Sequence, residues 1–164
     1  MKGNLPKLAI PKTKIEKIFN IIGYGVYVLA IIFLIVKFFQ LPDEIPAHFK
    51  MSGEVTRWGS KYEIIILPII GTLTILFTEF LERHPEFHNY PSRINEENAE
   101  QFYLNSRIML NQSKNIMSLM FASIILEMIL VSEGNGIGMW PMTIFLVALF
   151  VPMIIGLIRQ AKIK

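Results

Sequence analysis

The sequence contains no cysteine. Disulfides, thiolate nucleophiles, cysteine-ligated zinc and iron–sulfur clusters are thereby excluded. It is also poor in charge: only 18% of its 164 residues are Asp, Glu, Lys or Arg, against about 25% in soluble domains. What fills the space is apolar, 52% of the chain, with a mean hydropathy of +0.46. These values argue against a water-soluble globule. They also exclude disorder, which needs low hydrophobicity and high net charge. No internal repeat or low-complexity tract is visible, and residues 1–164 read as one integral membrane domain.

Four apolar stretches match the length of about 20 helical residues that crosses a bilayer: residues 18–39, 62–81, 114–132 and 139–158. The expected fold class is an all-α membrane protein, a four-transmembrane-helix bundle. The first stretch is too long for a signal-peptide core, and no small-residue cleavage site follows it, so it reads as a retained helix. Lysine and arginine mark the cytoplasmic side. Lys2, Lys7, Lys12, Lys14 and Lys17 precede span one. Arg83, Arg93, Arg107 and Lys114 lie between spans two and three, and Arg159, Lys162 and Lys164 follow span four. The opposite side carries only Lys50, Arg57 and Lys61, with Lys37 snorkelling from the end of span one. Both termini are therefore expected in the cytoplasm. The basic tails are explained by topology and give no reason to invoke nucleic acid.

The loop from Leu41 to Lys61, LPDEIPAHFKMSGEVTRWGSK, is expected outside. Pro42 and Pro46 push Leu41 and Ile45 toward extended geometry. His48–Lys50 and Val55–Trp58 read as short strands around Met51–Glu54, with Gly53 supplying the positive φ of the turn. A small β-hairpin results, with Phe49 and Trp58 turned toward lipid or the helix ends. Ser60 and Glu63 have capping-box spacing before the second apolar run; Gly59 permits a sharp entry, and Trp58 and Tyr62 suit an interfacial aromatic belt. His48 is the one residue type in this loop suited to chemistry near neutral pH, with Asp43, Glu44 and Glu54 close enough in sequence to orient it. One imidazole is too few for a zinc site, so neither metal nor cofactor is expected.

Leu41-Pro42, Ile45-Pro46, His48-Phe49, Gly53 and Trp58-Gly59-Ser60-Lys61 resemble the pattern of an uncharacterised bacterial membrane domain that also forms the N-terminal part of SdpI-type toxin-immunity proteins. The resemblance covers about residues 18–80. It implies a multi-pass protein of the bacterial plasma membrane and, for SdpI-like members, protection against a secreted peptide toxin, with signalling in some. Proteins of the SdpI type have about six spans, and four fit here.

The inner segment, residues 82–114, contains His84-Pro85-Glu86-Phe87-His88. This is not H-E-x-x-H, and Pro85 bars a helix interior. Glu96-Glu97 lacks the arginine that the paired glutamates of intramembrane proteases need; Gln101 stands there. Asn95 is read as an N-cap, and helix three is expected to run from about Glu96 to Val131, extending from the cytoplasm into the membrane. Its small residues Ala99, Ser106 and Ser113 permit close packing, within the chain or in a homo-oligomer. Glu127, inside span three, either pairs with Lys37 or lines a polar cavity or proton path.

No nucleophile, base and stabiliser converge, so the chain reads as non-enzymatic. The first functional reading is toxin immunity or signal relay through loop 41–61. The second is an accessory subunit that docks a membrane-protein partner through helix three. A small proton-coupled carrier using Glu127 or His48 comes third.

Overall fold

A computed structural model describes residues 6–164; Lys2, counted above among the basic residues, lies outside them. The order is α1 (Lys14–Phe38), β1 (Glu44–Phe49), β2 (Val55–Ser60), a 3-10 turn (Lys61–Ile65), α2 (Ile66–Arg83), a second 3-10 turn (Pro85–Phe87), α3 (Ala99–Ser132), α4 (Trp140–Ala148) and α5 (Phe150–Lys162). The protein is mostly helical with one two-stranded sheet. Four helical stretches are long and apolar enough to cross a membrane: Lys14–Phe38, Lys61–Arg83, Ala99–Ser132 and Trp140–Lys162.

α1 begins at a complete capping box. Thr13 Oγ accepts from the Glu16 N–H at 3.2 Å, and the Glu16 carboxylate accepts from the Thr13 N–H at 2.7 Å. Ser60 also caps, but the turn it opens is 3-10. Its hydroxyl accepts from the Tyr62 N–H, one residue short of the expected partner, and the Glu63 carboxylate is engaged by Arg57. α3 starts at Ala99 rather than Glu96. The Asn95 side chain accepts from the Glu97 and Asn98 N–H groups and holds a turn ahead of the helix. The fourth stretch breaks at Leu149 between α4 and α5. Pro152 explains the position: it has no N–H for the carbonyl four residues earlier, Ala148, and its ring crowds that carbonyl.

α3 packs against α1, α2, α4, α5 and β1. At 34 residues it is about 51 Å long, well beyond a hydrocarbon core of about 30 Å. The apolar core lies toward its C-terminal half, where Tyr27, Ala30 and Leu34 of α1 meet Ala122, Ile125 and Ile129. A separate cluster of Tyr90, Ala99, Phe102 and Tyr103 closes the other end. The outward faces of α1, α2, α4 and α5 are apolar; Ile21, Leu29, Leu73 and Val147 are each more than 60% exposed. Polar groups line the inside of α3 instead. This inverted distribution is what a lipid solvent demands, since lipid satisfies no polar group.

The helix ends sort into two sets. The hairpin sits where α1 and α3 end and where α2 and α4 begin. At the opposite end both ends of the described chain meet α3: Arg107 donates to the Ile10 and Pro11 carbonyls, and the Asn98 amide donates to the Lys164 carbonyl.

Candidate functional site

The hairpin is the feature most particular to this sequence. β1 and β2 pair antiparallel with Glu44 opposite Ser60, Ile45 opposite Gly59, Pro46 opposite Trp58, His48 opposite Arg57 and Phe49 opposite Val55, and the register is irregular around His48. The strands are longer than expected because the ladder continues to Glu44 and Ser60. Gly53 has φ of +90° at the turn, where its N–H donates to the Lys50 carbonyl at 2.9 Å. β1 is the buried strand. Ile45 and Pro46 are fully enclosed, Leu41 just ahead of them is 4% exposed, and Phe49 packs on the edge of the core. β2 faces outward, with Trp58 52% exposed.

Two ion pairs clamp the base and tip: Lys61 with Asp43 at 3.0 Å and Lys50 with Glu54 at 2.8 Å. Asp43 and Glu54 are therefore engaged by lysines and do not orient His48, which is exposed. Among the described residues no group of three or more His, Cys, Asp or Glu side chains is placed to hold a metal. Arg57 grips Glu63 with both terminal nitrogens, at 3.2 and 2.7 Å. The pair lies over Gly59, where an added Cβ would come within 2.2 Å of the Glu63 carboxylate. Beneath the hairpin is a cavity of about 270 Å³, with Phe49, Leu67, Ile124, Met128 and Met139 as its apolar walls and His48, Arg57 and Glu63 at its polar edge.

Glu127 bears on the same region. It does not pair with Lys37, which goes to Glu133 at 2.7 Å. Each Glu127 carboxylate oxygen instead accepts a backbone N–H, from Gly138 at 2.7 Å and from Ile137 at 3.1 Å. A carboxylate that takes two backbone donors is locally satisfied, so the loop between α3 and α4 is pinned to α3. The hairpin turn rests on this loop: a Cβ at Gly53 would lie 3.2 Å from Gly138 Cα and 3.3 Å from the Met139 nitrogen.

A second constellation, missed in the sequence, lies toward the opposite end. Lys114 of α3, fully buried, pairs with both Glu79 and Glu82 of α2. Lys12, ahead of α1, reaches Glu82 at 2.7 Å and Glu79 at 3.2 Å. Tyr24 donates to Glu79 at 2.8 Å, Arg83 donates to Glu79 at 3.0 Å, and Asn111 donates to Glu82 at 3.1 Å and to Asn20 at 2.8 Å. Beside this network Glu16 and Arg107 form a buried pair at 2.8 Å. Arg107, Asn111, Lys114, Asn115 and Ser118 recur at intervals of three and four and share one face of α3. That periodicity was the available signal. The charge count places Arg107 and Lys114 between spans two and three on the cytoplasmic side; their side chains are buried inside the helix assembly.

The small residues of α3 face inward. Ala99 lies in the Tyr90 cluster. Ser106 bonds to His88 Nδ1 at 2.7 Å and to the Tyr90 hydroxyl at 2.9 Å, while Ser113 Oγ is buried and has no hydrogen-bond partner among the described residues. His88 Nε2 meets the Leu81 carbonyl at 2.9 Å. Burial lowers the His88 pKa from its ordinary value and raises that of Tyr90. The stretch from His84 to Tyr90 is thus a folded loop locked to α3.

Residues 25–72, covering the second half of α1, the hairpin and the start of α2, match the family described as Domain of unknown function (DUF1648). An uncharacterized protein of Archaeoglobus fulgidus is 39% identical over 61 residues, covering 32% of this chain and 33% of that protein. The chain therefore spans about a third of the length of the curated relative it matches. No solved structure matches. In its hairpin and flanking helices, the chain is similar to an uncharacterised membrane-type domain family.

Proposed function

We infer that this chain is a non-enzymatic multi-pass plasma-membrane protein that recognises a peptide on its hairpin face. Its termini lie in the cytoplasm, and the recognition serves immunity to a secreted toxin or relays a signal. One observation carries this reading: the hairpin turn seats on the loop that Glu127 ties to α3. A ligand that shifts the hairpin therefore presses on a helix reaching the other end of the molecule. The exposed Trp58 and the apolar cavity edged by Arg57 and Glu63 offer the aromatic and amphipathic contacts that peptide recognition uses. The resemblance to SdpI-type proteins supplies the toxin class. Within this reading, Glu127 is a structural staple for the loop.

The test is expression in a toxin-sensitive bacterium challenged with the peptide toxin of an SdpI-type system. The intact chain should protect. Trp58→Ala and Phe49→Ala should lose protection at unchanged membrane protein level. Full protection by both variants would overturn the reading.

A further inference from the structure

The groove between α1 and α2 plays no part in the hairpin reading. Tyr27 bridges the two helices, donating to the Pro68 carbonyl at 2.9 Å and lying 3.2 Å from the Thr72 hydroxyl. Beside this bridge the helices enclose a lateral groove of about 390 Å³, within the range of small-molecule sites, roughly 300–1,000 Å³. Ile31 and Ile75 floor it, and Val28 and Leu76, 50% and 60% exposed, form its rims. These rims lie in the apolar outer faces of two candidate spans, so the groove opens sideways into the membrane.

One end of the groove is charged. Glu79 and Arg83 stand there with the Tyr24 hydroxyl. Arg83 spends its Nε on Glu79, while its terminal nitrogens have no partner among the described residues and its side chain is 69% exposed. Lys17, two turns before Tyr24 on the same face of α1, is exposed. Among the described residues, the carboxylates that Lys12, Arg83 and Lys114 meet are Glu79 and Glu82 alone. That is three cations against two carboxylates, a local excess of one positive charge even before Lys17 is counted.

We propose that this groove binds one phospholipid with an anionic headgroup, an acyl chain lying along Tyr27, Ile31 and Ile75 and the phosphate on Arg83 and Lys17. A water-soluble anion has no use for the apolar length of the groove. A peptide strand would leave its backbone donors and acceptors unmet against such walls. A zwitterionic lipid would bring its own cation to a site already in cationic excess. Basic pockets between membrane helices select anionic headgroups for this reason.

The test is native mass spectrometry of the full chain in detergent with dioleoylphosphatidylglycerol or dioleoylphosphatidylcholine. The expected result is one phosphatidylglycerol retained per chain, preferred about fivefold, the effect of one interfacial cation. Arg83→Gln should cut the preference for phosphatidylglycerol, leaving Lys17 as the remaining cation at the phosphate. Lys17→Gln should narrow the gap, and Val28→Trp, which fills the rim, should reduce retention of both lipids while elution stays monodisperse. If Arg83→Gln does not elute like the parent, the other two variants decide. Equal retention of the two lipids by the parent chain, or unsaturable uptake of many lipids, would overturn the site. So would displacement of the bound lipid by excess glycerol phosphate, which would assign the effect to the headgroup alone.

Discussion

At the scale of single residues, Lys114 is the most committed side chain in the molecule. Its ammonium sits fully buried between two carboxylates contributed by one turn of α2. Removing one partner of a buried pair leaves the other uncompensated, at a cost of about 3–5 kcal/mol, whereas removing both costs much less. Lys114→Met should therefore lower the unfolding temperature in detergent sharply, and adding Glu82→Gln should restore part of the loss. A double-mutant cycle on thermal unfolding measures this, and strict additivity would show that the pair is not coupled. His88 makes a pH prediction. Burial lowers its folded pKa, while the unfolded chain titrates near 6.5. As pH falls below that value the unfolded state takes up a proton that folded His88 resists, so stability declines with acidification and returns above it. Unfolding temperatures between pH 7.5 and 5 should show the decline, and His88→Gln should flatten it.

At the scale of elements, the hairpin and α3 behave differently. The hairpin turn depends on one position. Gly53 at φ +90° accepts no side chain without strain, and an added Cβ would also press on Gly138 and Met139. Gly53→Ala should cost about 1–2 kcal/mol for the left-handed backbone alone. It should loosen both the hairpin and the loop it rests on, read as faster amide exchange in residues 50–54 and 136–139 with α1 unchanged. α3 draws its order from tertiary packing. Its apolar residues form no single stripe, because the inward face is polar from Ser106 to Ser118 and turns apolar from Ala122 to Ile129, with Glu127 set among the apolar residues. Read for apolar periodicity alone, residues 99–114 look like an aqueous extension. Their burial comes from the His84–Tyr90 loop and from the segment ahead of α1, which fold over them.

At the scale of the whole molecule, the alternation of helix directions places both ends of the described chain at the end opposite the hairpin. With no cysteine to remove, single-cysteine variants can report sidedness directly. Lys7→Cys, Glu96→Cys and Lys164→Cys should react with an impermeant maleimide only after the cell is opened. Trp58→Cys should react in intact cells. Labelling of Trp58→Cys and Lys7→Cys from the same side would refute the four-crossing topology.

The number and position of the four apolar helical stretches, the turn at Gly53 and the exclusion of thiol chemistry were all legible in the sequence. Each depends on properties a residue carries with it: hydrophobicity over a run of fixed length, the absence of a Cβ, the absence of a thiol. The capping box at Thr13 and Glu16 is equally local, a threonine followed three residues later by a glutamate. The partners of the charges were a different matter. Lys114 meets carboxylates 32 and 35 residues away, Arg107 one 91 residues away and Lys37 one 96 residues away. Glu127 takes the backbone N–H groups of Ile137 and Gly138 and not Lys37, one of the two alternatives open to it in the sequence. A charge inside a membrane protein must find a partner, but which one it finds depends on the helices that lie beside it, and only the tertiary structure decides that.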